Sequence, residues 1–181
     1  MGLNKKAKQL LEKRLAPFAQ RQSWDDEEAN EWIPKYGCLL CCLVASFVLL
    51  GLNSFYRTAD AYYEIFKDRG IINKKGLVVW SKLSEFYKTT FDFNVRLWDG
   101  IHKDKETIKA NLVTNLAIVS VDYKRDPKYK NSHWVLVLYT HKGIVIFDPW
   151  TGEVDYFPDK YLINNCIEDS IFSIINIAIL L

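Results

Sequence analysis

The run from Gly37 to Gly51, GCLLCCLVASFVLLG, constrains this chain more than any other stretch. Nearly every residue between the two glycines is apolar or small, so a helix here is apolar on all sides and must be buried on all sides. It is too short to span a bilayer, which takes about 20 apolar residues. It therefore reads as the central helix of a packed core, ending at a C-terminal glycine, Gly51. Its first residue is Cys38. A thiol at a helix N-terminus meets unpaired backbone N–H groups and the positive end of the helix dipole, and both favour thiolate. Cys38 is a candidate nucleophile, and the rest of the chain is read for what would position it.

The chain has 181 residues, enough for one domain with a sizeable core. It is 49% hydrophobic and 14% aromatic, which excludes a disordered chain. A net charge of +2 gives no global attraction to nucleic acid, and none is expected as a partner. The four cysteines are Cys38, Cys41, Cys42 and Cys166. Three crowd one helix, where they are poor disulfide partners, so the set reads as free thiols in a reducing compartment. No apolar segment follows the N-terminal charges as in a signal peptide. The apolar run 171–181 is too short for a membrane span, and a cytoplasmic location is expected.

Taken in order, residues 3–16 predict a helix with Leu3, Ala7, Leu10 and Leu11 on its apolar stripe and Lys5, Lys6, Lys8, Lys13 and Arg14 elsewhere. Its basic face is a solvated surface or a dock for an acidic protein partner or a membrane surface. Residues 17–36, with an acidic cluster and Pro34, read as irregular. Helices are expected over 55–68, over 78–87 with Trp80 and Leu83 inward, and over 104–115. The period then changes to that of strands: 116–123, a charged loop 124–131, 132–140 and 143–147 around a tight turn, 153–157, and 170–180 closing the sheet. Helices first and antiparallel strands after them define an α+β class.

Of the three histidines, His141 falls in the hairpin turn and His102 in a charged loop. Only His133 stands at the mouth of a buried strand, HWVLVLY. The next strand ends Ile146-Phe147-Asp148-Pro149-Trp150. A hairpin turning at residues 141–143 brings His133 and Asp148 to the same open end, within a residue or two of facing each other. A carboxylate there can orient an imidazole through one ring nitrogen, leaving the other to take a proton from Cys38. Each residue alone has an ordinary explanation: a core thiol, a hydrogen-bonded histidine, an Asp-Pro turn.

Their order and surroundings resemble the papain-like cysteine peptidases of the bacteriocin-processing type, in the short stand-alone C39-like form. The matching pieces are Gln20 with Trp24, Tyr36-Gly37-Cys38 opening the apolar helix, Gly76-Leu77-Val78-Val79-Trp80, Ser132-His133-Trp134-Val135, and Ile146-Phe147-Asp148-Pro149-Trp150. The resemblance covers residues 18–181 as a papain-fold domain and leaves 1–17 as a basic helical extension, expected to be dispensable to the fold. It implies N-terminal helices, including the buried Cys-bearing helix, packed on a C-terminal antiparallel sheet. It also implies Cys38 as nucleophile, His133 as general base, Asp148 as its orienter, and Gln20 as an oxyanion donor with Gln22 as the substitute. The substrate would be a peptide or protein, with no cofactor and no metal. Members occur in bacteria and phages, so a virion-associated location also fits.

Three other readings compete. One is a non-catalytic structural, virion-associated or inhibitory protein on the same fold. Another takes Cys38-x-x-Cys41 as a redox pair, though no βαβ pattern surrounds it. The last is a zinc site of Cys38, Cys41, Cys166 and a histidine, which lacks a second close pair of ligands.

Overall fold

The computed structural model describes residues 5–20, 22–52, 57–99, 116–121, 133–140, 143–156 and 171–179. Its helices are α1 (Lys5–Leu15, running into a 3₁₀ turn at Ala16–Phe18), α2 (Glu27–Tyr36), α3 (Cys38–Leu49), α4 (Ala59–Asp68) and α5 (Trp80–Phe91). The strands are β1 (Phe93–Asp99), β2 (Leu116–Val121), β3 (His133–Thr140), β4 (Gly143–Asp148), β5 (Glu153–Tyr156) and β6 (Ile171–Ile179). They form an antiparallel sheet in the order β1-β6-β2-β3-β4-β5. The α+β class is as the sequence predicts.

α3 is the centre of the core. Every residue from Cys38 to Val48 is buried. Its C-terminal turn ends in paired reverse bonds: Leu52 N–H donates to Phe47 O at 2.7 Å and Gly51 N–H to Val48 O at 3.2 Å. Gly51 takes φ +72°, which glycine adopts without steric cost. Phe47 gathers the aromatic layer, with ring centroids 5.0 Å from Tyr62, 5.3 Å from Tyr87 and 5.1 Å from Phe91. On its other side α3 meets the face of β3, β4 and β5 that carries Leu136, Val145, Phe147 and Val154, all in the same buried cluster. Strand alternation puts these on one face, since Leu136 pairs with Phe147 and Phe147 with Val154.

α1 is tied into this core. Leu15 is fully buried, and Arg14 Nη2 donates to Val48 O at 2.8 Å, placing a cation on the negative end of α3. Lys8 lies 3.7 Å from Glu12 and 3.8 Å from Asp155. Leu10, assigned to the apolar stripe from its spacing, is 68% exposed; the inward stripe runs instead through Leu11 and Leu15. These contacts lead us to expect that the helix contributes to stability, against the expectation that it is dispensable. Leu15→Ala should lower the free energy of unfolding by about 2–5 kcal/mol, as expected for a buried leucine removed from a close-packed site, read from the shift of a urea midpoint.

Four further differences have physical causes. Residues 27–36 are helical, not irregular. Asp26 caps α2 by accepting from Ala29 N–H at 2.6 Å, Glu27 and Glu28 sit in the first turn where the dipole favours them, and Pro34 falls in the last turn. Trp80 begins α5 rather than packing inside it and is 36% exposed, while Leu83 is fully buried as expected; the helix runs on to Phe91. β1 was not anticipated, although Phe93, Val95 and Leu97 alternate with Asn94 and Arg96. β6 does not close the sheet from outside but lies between β1 and β2. The helix expected over 104–115, the loop 124–131, His102, His141 and Cys166 lie outside the described residues.

Candidate active site

The site forms where three chain ends meet: the start of α3, the start of β3 and the end of β4. α2 and α3 join at Gly37 with a bend of 98°, which exposes the first turn of α3 as a fresh helix N-terminus. The corner admits no side chain. A Cβ on Gly37 would lie 2.7 Å from Ile33 Cγ2 and Ile33 O and 2.8 Å from Ile33 Cα. Cys38 follows at the first helical position and is 8% exposed.

His133 and Asp148 arrive as the hairpin count requires. Leu136 pairs with Phe147, and continuing that register sets Asp148 opposite Val135. His133 is then the diagonal neighbour on the same face. Nε2 of His133 lies 2.8 Å from Asp148 Oδ1, and both side chains are buried, at 3% and 1% exposure. Pairing with β3 ends at Phe147, but Asp148 still pairs with Glu153 of β5. Its orientation is held from behind by the turn that follows. Trp150 N–H donates to Asp148 Oδ1 at 2.9 Å, and Gly152 N–H donates to the Asp148 carbonyl at 2.8 Å. The DPWTG segment is therefore an Asx turn whose carboxylate also holds the imidazole. The sequence suggests the turn and the orienting carboxylate as separate readings; here one oxygen, Asp148 Oδ1, serves both.

The His133 side chain also hydrogen-bonds to Cys38. Because Nε2 faces Asp148, Nδ1 is the nitrogen left for the thiol. Burial alone would lower the pKa of His133. The hydrogen bonds to Asp148 and Cys38, with the negative charge of both partners, outweigh it and push the imidazole up to about 9. The arrangement therefore favours an imidazolium near neutral pH. Cys41 and Cys42 are fully buried, and burial first, then the charge of Cys38, pushes both thiols well above their ordinary range. Cys42 Sγ lies 3.4 Å from the Trp134 carbonyl, one turn along α3 from Cys38.

Gln20 is 1% exposed and bridges the two sides of the site. Its backbone N–H donates to Pro149 O at 2.6 Å, next to Asp148. Its Nε2 donates to Pro34 O at 3.3 Å, a carbonyl of the last turn of α2 that the bend leaves without a helical partner. The following segment is pinned by Trp24, which is buried and whose backbone N–H donates to Asn30 Oδ1 at 2.7 Å. One amide hydrogen of Gln20 remains for a ligand, and its Oε1 has no partner among the described residues. A buried carboxamide left half-satisfied marks a place that a ligand or water completes. Gln22 instead turns its Nε2 to Pro17 O and is held in its own loop. If the chain is the hydrolase that the resemblance implies, with Gln20 as oxyanion donor, Gln20→Ala should cut turnover roughly 10²–10³-fold while leaving thiol alkylation nearly unchanged, because such a donor acts only once charge develops on the substrate. Parallel measurement of turnover and iodoacetamide labelling checks this.

The structure thus brings Cys38, His133 and Asp148 together and sets Gln20 against the elbow beside Cys38. Cys38, Cys41 and Cys42 are free thiols, and no cluster of metal-ligating side chains occurs among the described residues. No protein-family model matches the chain, and no curated protein matches it either.

Proposed function

We propose that this protein is a thiol hydrolase that cleaves a peptide or amide bond, built on a papain-like arrangement of helices and sheet. The observation that carries the proposal is the buried His133–Asp148 pair at 2.8 Å, hydrogen-bonded onward to a thiol at a helix N-terminus. In this mechanism Cys38 Sγ attacks the carbonyl carbon of the scissile bond, and the developing oxyanion is held by Gln20 Nε2 and the Cys38 backbone N–H. His133 then gives its proton to the leaving amine, which releases the first product and leaves a thioester. His133 next takes a proton from water, whose oxygen attacks the thioester, and the acid product departs with the thiolate restored. Asp148 fixes the ring and favours its charged form throughout. The stand-alone bacteriocin-processing-type peptidases are the family whose pattern this chain resembles.

The test is selective labelling together with loss of cleavage. Iodoacetamide at pH 6 should modify Cys38 well before Cys41 or Cys42, because burial keeps the latter two protonated. A proteome cleavage assay should yield new termini with wild-type protein and none with Cys38→Ala. Equal labelling of the three thiols, with no cleavage, would overturn the proposal in favour of a non-catalytic protein on the same fold.

A further inference from the structure

We infer that the cleft formed by Trp32, Tyr36 and Tyr63 with the turn at Lys74 and Lys75 is a substrate subsite. It would take a large aromatic or apolar side chain from a peptide segment that carries neighbouring carboxylates. The inference rests on the hydrolase reading for its role in catalysis and on the cleft itself for its chemistry.

The cleft encloses about 550 Å³, within the usual range for a pocket that seats a side chain or small ligand. Tyr36 lines it, is 64% exposed, and is separated from Cys38 by Gly37 alone. Two trans peptides place their Cα atoms at most about 7.6 Å apart. An extended peptide advances about 3.3 Å per residue, so a side chain seated here belongs to a residue two or three positions from the bond presented to Cys38.

The walls are aromatic and pre-arranged. Trp32 stacks on Tyr63 at 5.0 Å between centroids and meets Tyr36 at 6.3 Å. The one carboxylate lining the cleft, Glu28, is already neutralised: Lys67 Nζ lies 2.5 Å from it and the Tyr63 hydroxyl donates to it at 3.1 Å. Lys67 in turn lies over the Tyr63 ring at 5.1 Å. Lys74 and Lys75 are exposed on the rim, and among the described residues neither is in an ion pair. Their turn is fixed, since Asn73 Oδ1 accepts from the backbone N–H groups of Lys75 and Leu77 at 2.8 and 3.0 Å. An aromatic floor with two unneutralised cations at its edge is complementary to an acidic peptide with an aromatic or large apolar anchor.

The experiment uses the full chain as Cys38→Ala, which cannot turn over a peptide, and two fluorescein-labelled decapeptides read by anisotropy at low salt. One carries a phenylalanine flanked by aspartate and glutamate; the other has lysines in those flanking places. The acidic peptide should bind roughly 5–10-fold more tightly. That preference should vanish in Lys74→Glu/Lys75→Glu. Tyr36→Ala should weaken the acidic peptide roughly tenfold, with Tyr36→Phe restoring most of it. Equal binding of both peptides, or a preference that survives the lysine reversal, overturns the subsite. Iodoacetamide labelling of the wild type reports separately on the catalytic reading. Failure to label with the acidic preference intact removes the hydrolase and keeps the binding site, whereas normal labelling without the preference removes the subsite alone.

Discussion

Replacing His133 with alanine should abolish measurable hydrolysis, a fall of roughly 10⁴-fold or more, and should also slow alkylation of Cys38. Both effects follow from the position of the ring between two buried partners. Without the imidazole, Cys38 loses the group that accepts its proton and the leaving amine loses its proton donor, while the buried Asp148 carboxylate loses the ring it faces at 2.8 Å. Folding must be checked in parallel, because an uncompensated buried charge is itself destabilising.

The same geometry sets the pH dependence. A free imidazole loses its proton near pH 6.5; His133, raised to about 9, keeps its proton through neutrality and loses it above that value. The kcat/KM profile should therefore fall on its alkaline side with an apparent midpoint near 9 as His133 loses its proton. Asp148→Asn preserves an oxygen that can accept from both His133 and Trp150 but removes the negative charge. Turnover should fall less than in the histidine variant, by roughly 10²-fold, and the alkaline limb should move to lower pH, since Asp148 is among the groups that raise His133. A limb unmoved in Asp148→Asn would mean that the pair seen at 2.8 Å does not govern the titrating group.

Gly37→Ala should disable the site without touching any catalytic atom. The added methyl would meet the backbone of the preceding helical turn at 2.7–2.8 Å, where nothing flexible can give way. Either the 98° bend between α2 and α3 opens or Ile33, fully buried, is pushed out of the core. Overpacking of this kind costs about 1–3 kcal/mol, visible as a lowered melting temperature. Its effect on rate should be larger: Cys38 is the next residue and would be displaced from Nδ1 of His133, and displacements near 1 Å cost about 10²-fold. A variant with wild-type turnover would show that the corner is more compliant than its contacts indicate.

Much of this site is legible in the sequence because its parts depend on local rules. An all-apolar run closed by glycines specifies a buried helix whatever surrounds it, and its first residue is a thiol. The antiparallel pairing that begins with Thr140 opposite Gly143 fixes a register, and register alone carries His133 and Asp148 to one end of the hairpin. The Asp26 cap and the alternation over residues 93–97 are equally local, but Pro34 and the run of acidic residues obscure the first, and the second is short.

Other features were decided only by tertiary structure. Whether Leu10 or Leu15 of α1 turns inward depends on where α3 ends, since Arg14 must reach Val48 O across 34 residues of chain. The insertion of β6 between β1 and β2 is a choice among sheet edges that no local pattern encodes. The different surroundings of Gln20 and Gln22 also follow from the bend at Gly37, which leaves the Pro34 carbonyl for one amide while Pro17 takes the other. The sequence by itself therefore determined which residues are able to act and on which elements they lie. Which of them meet was decided by packing, because hydrogen bonds and contacts between distant segments form only once the core has set their separation.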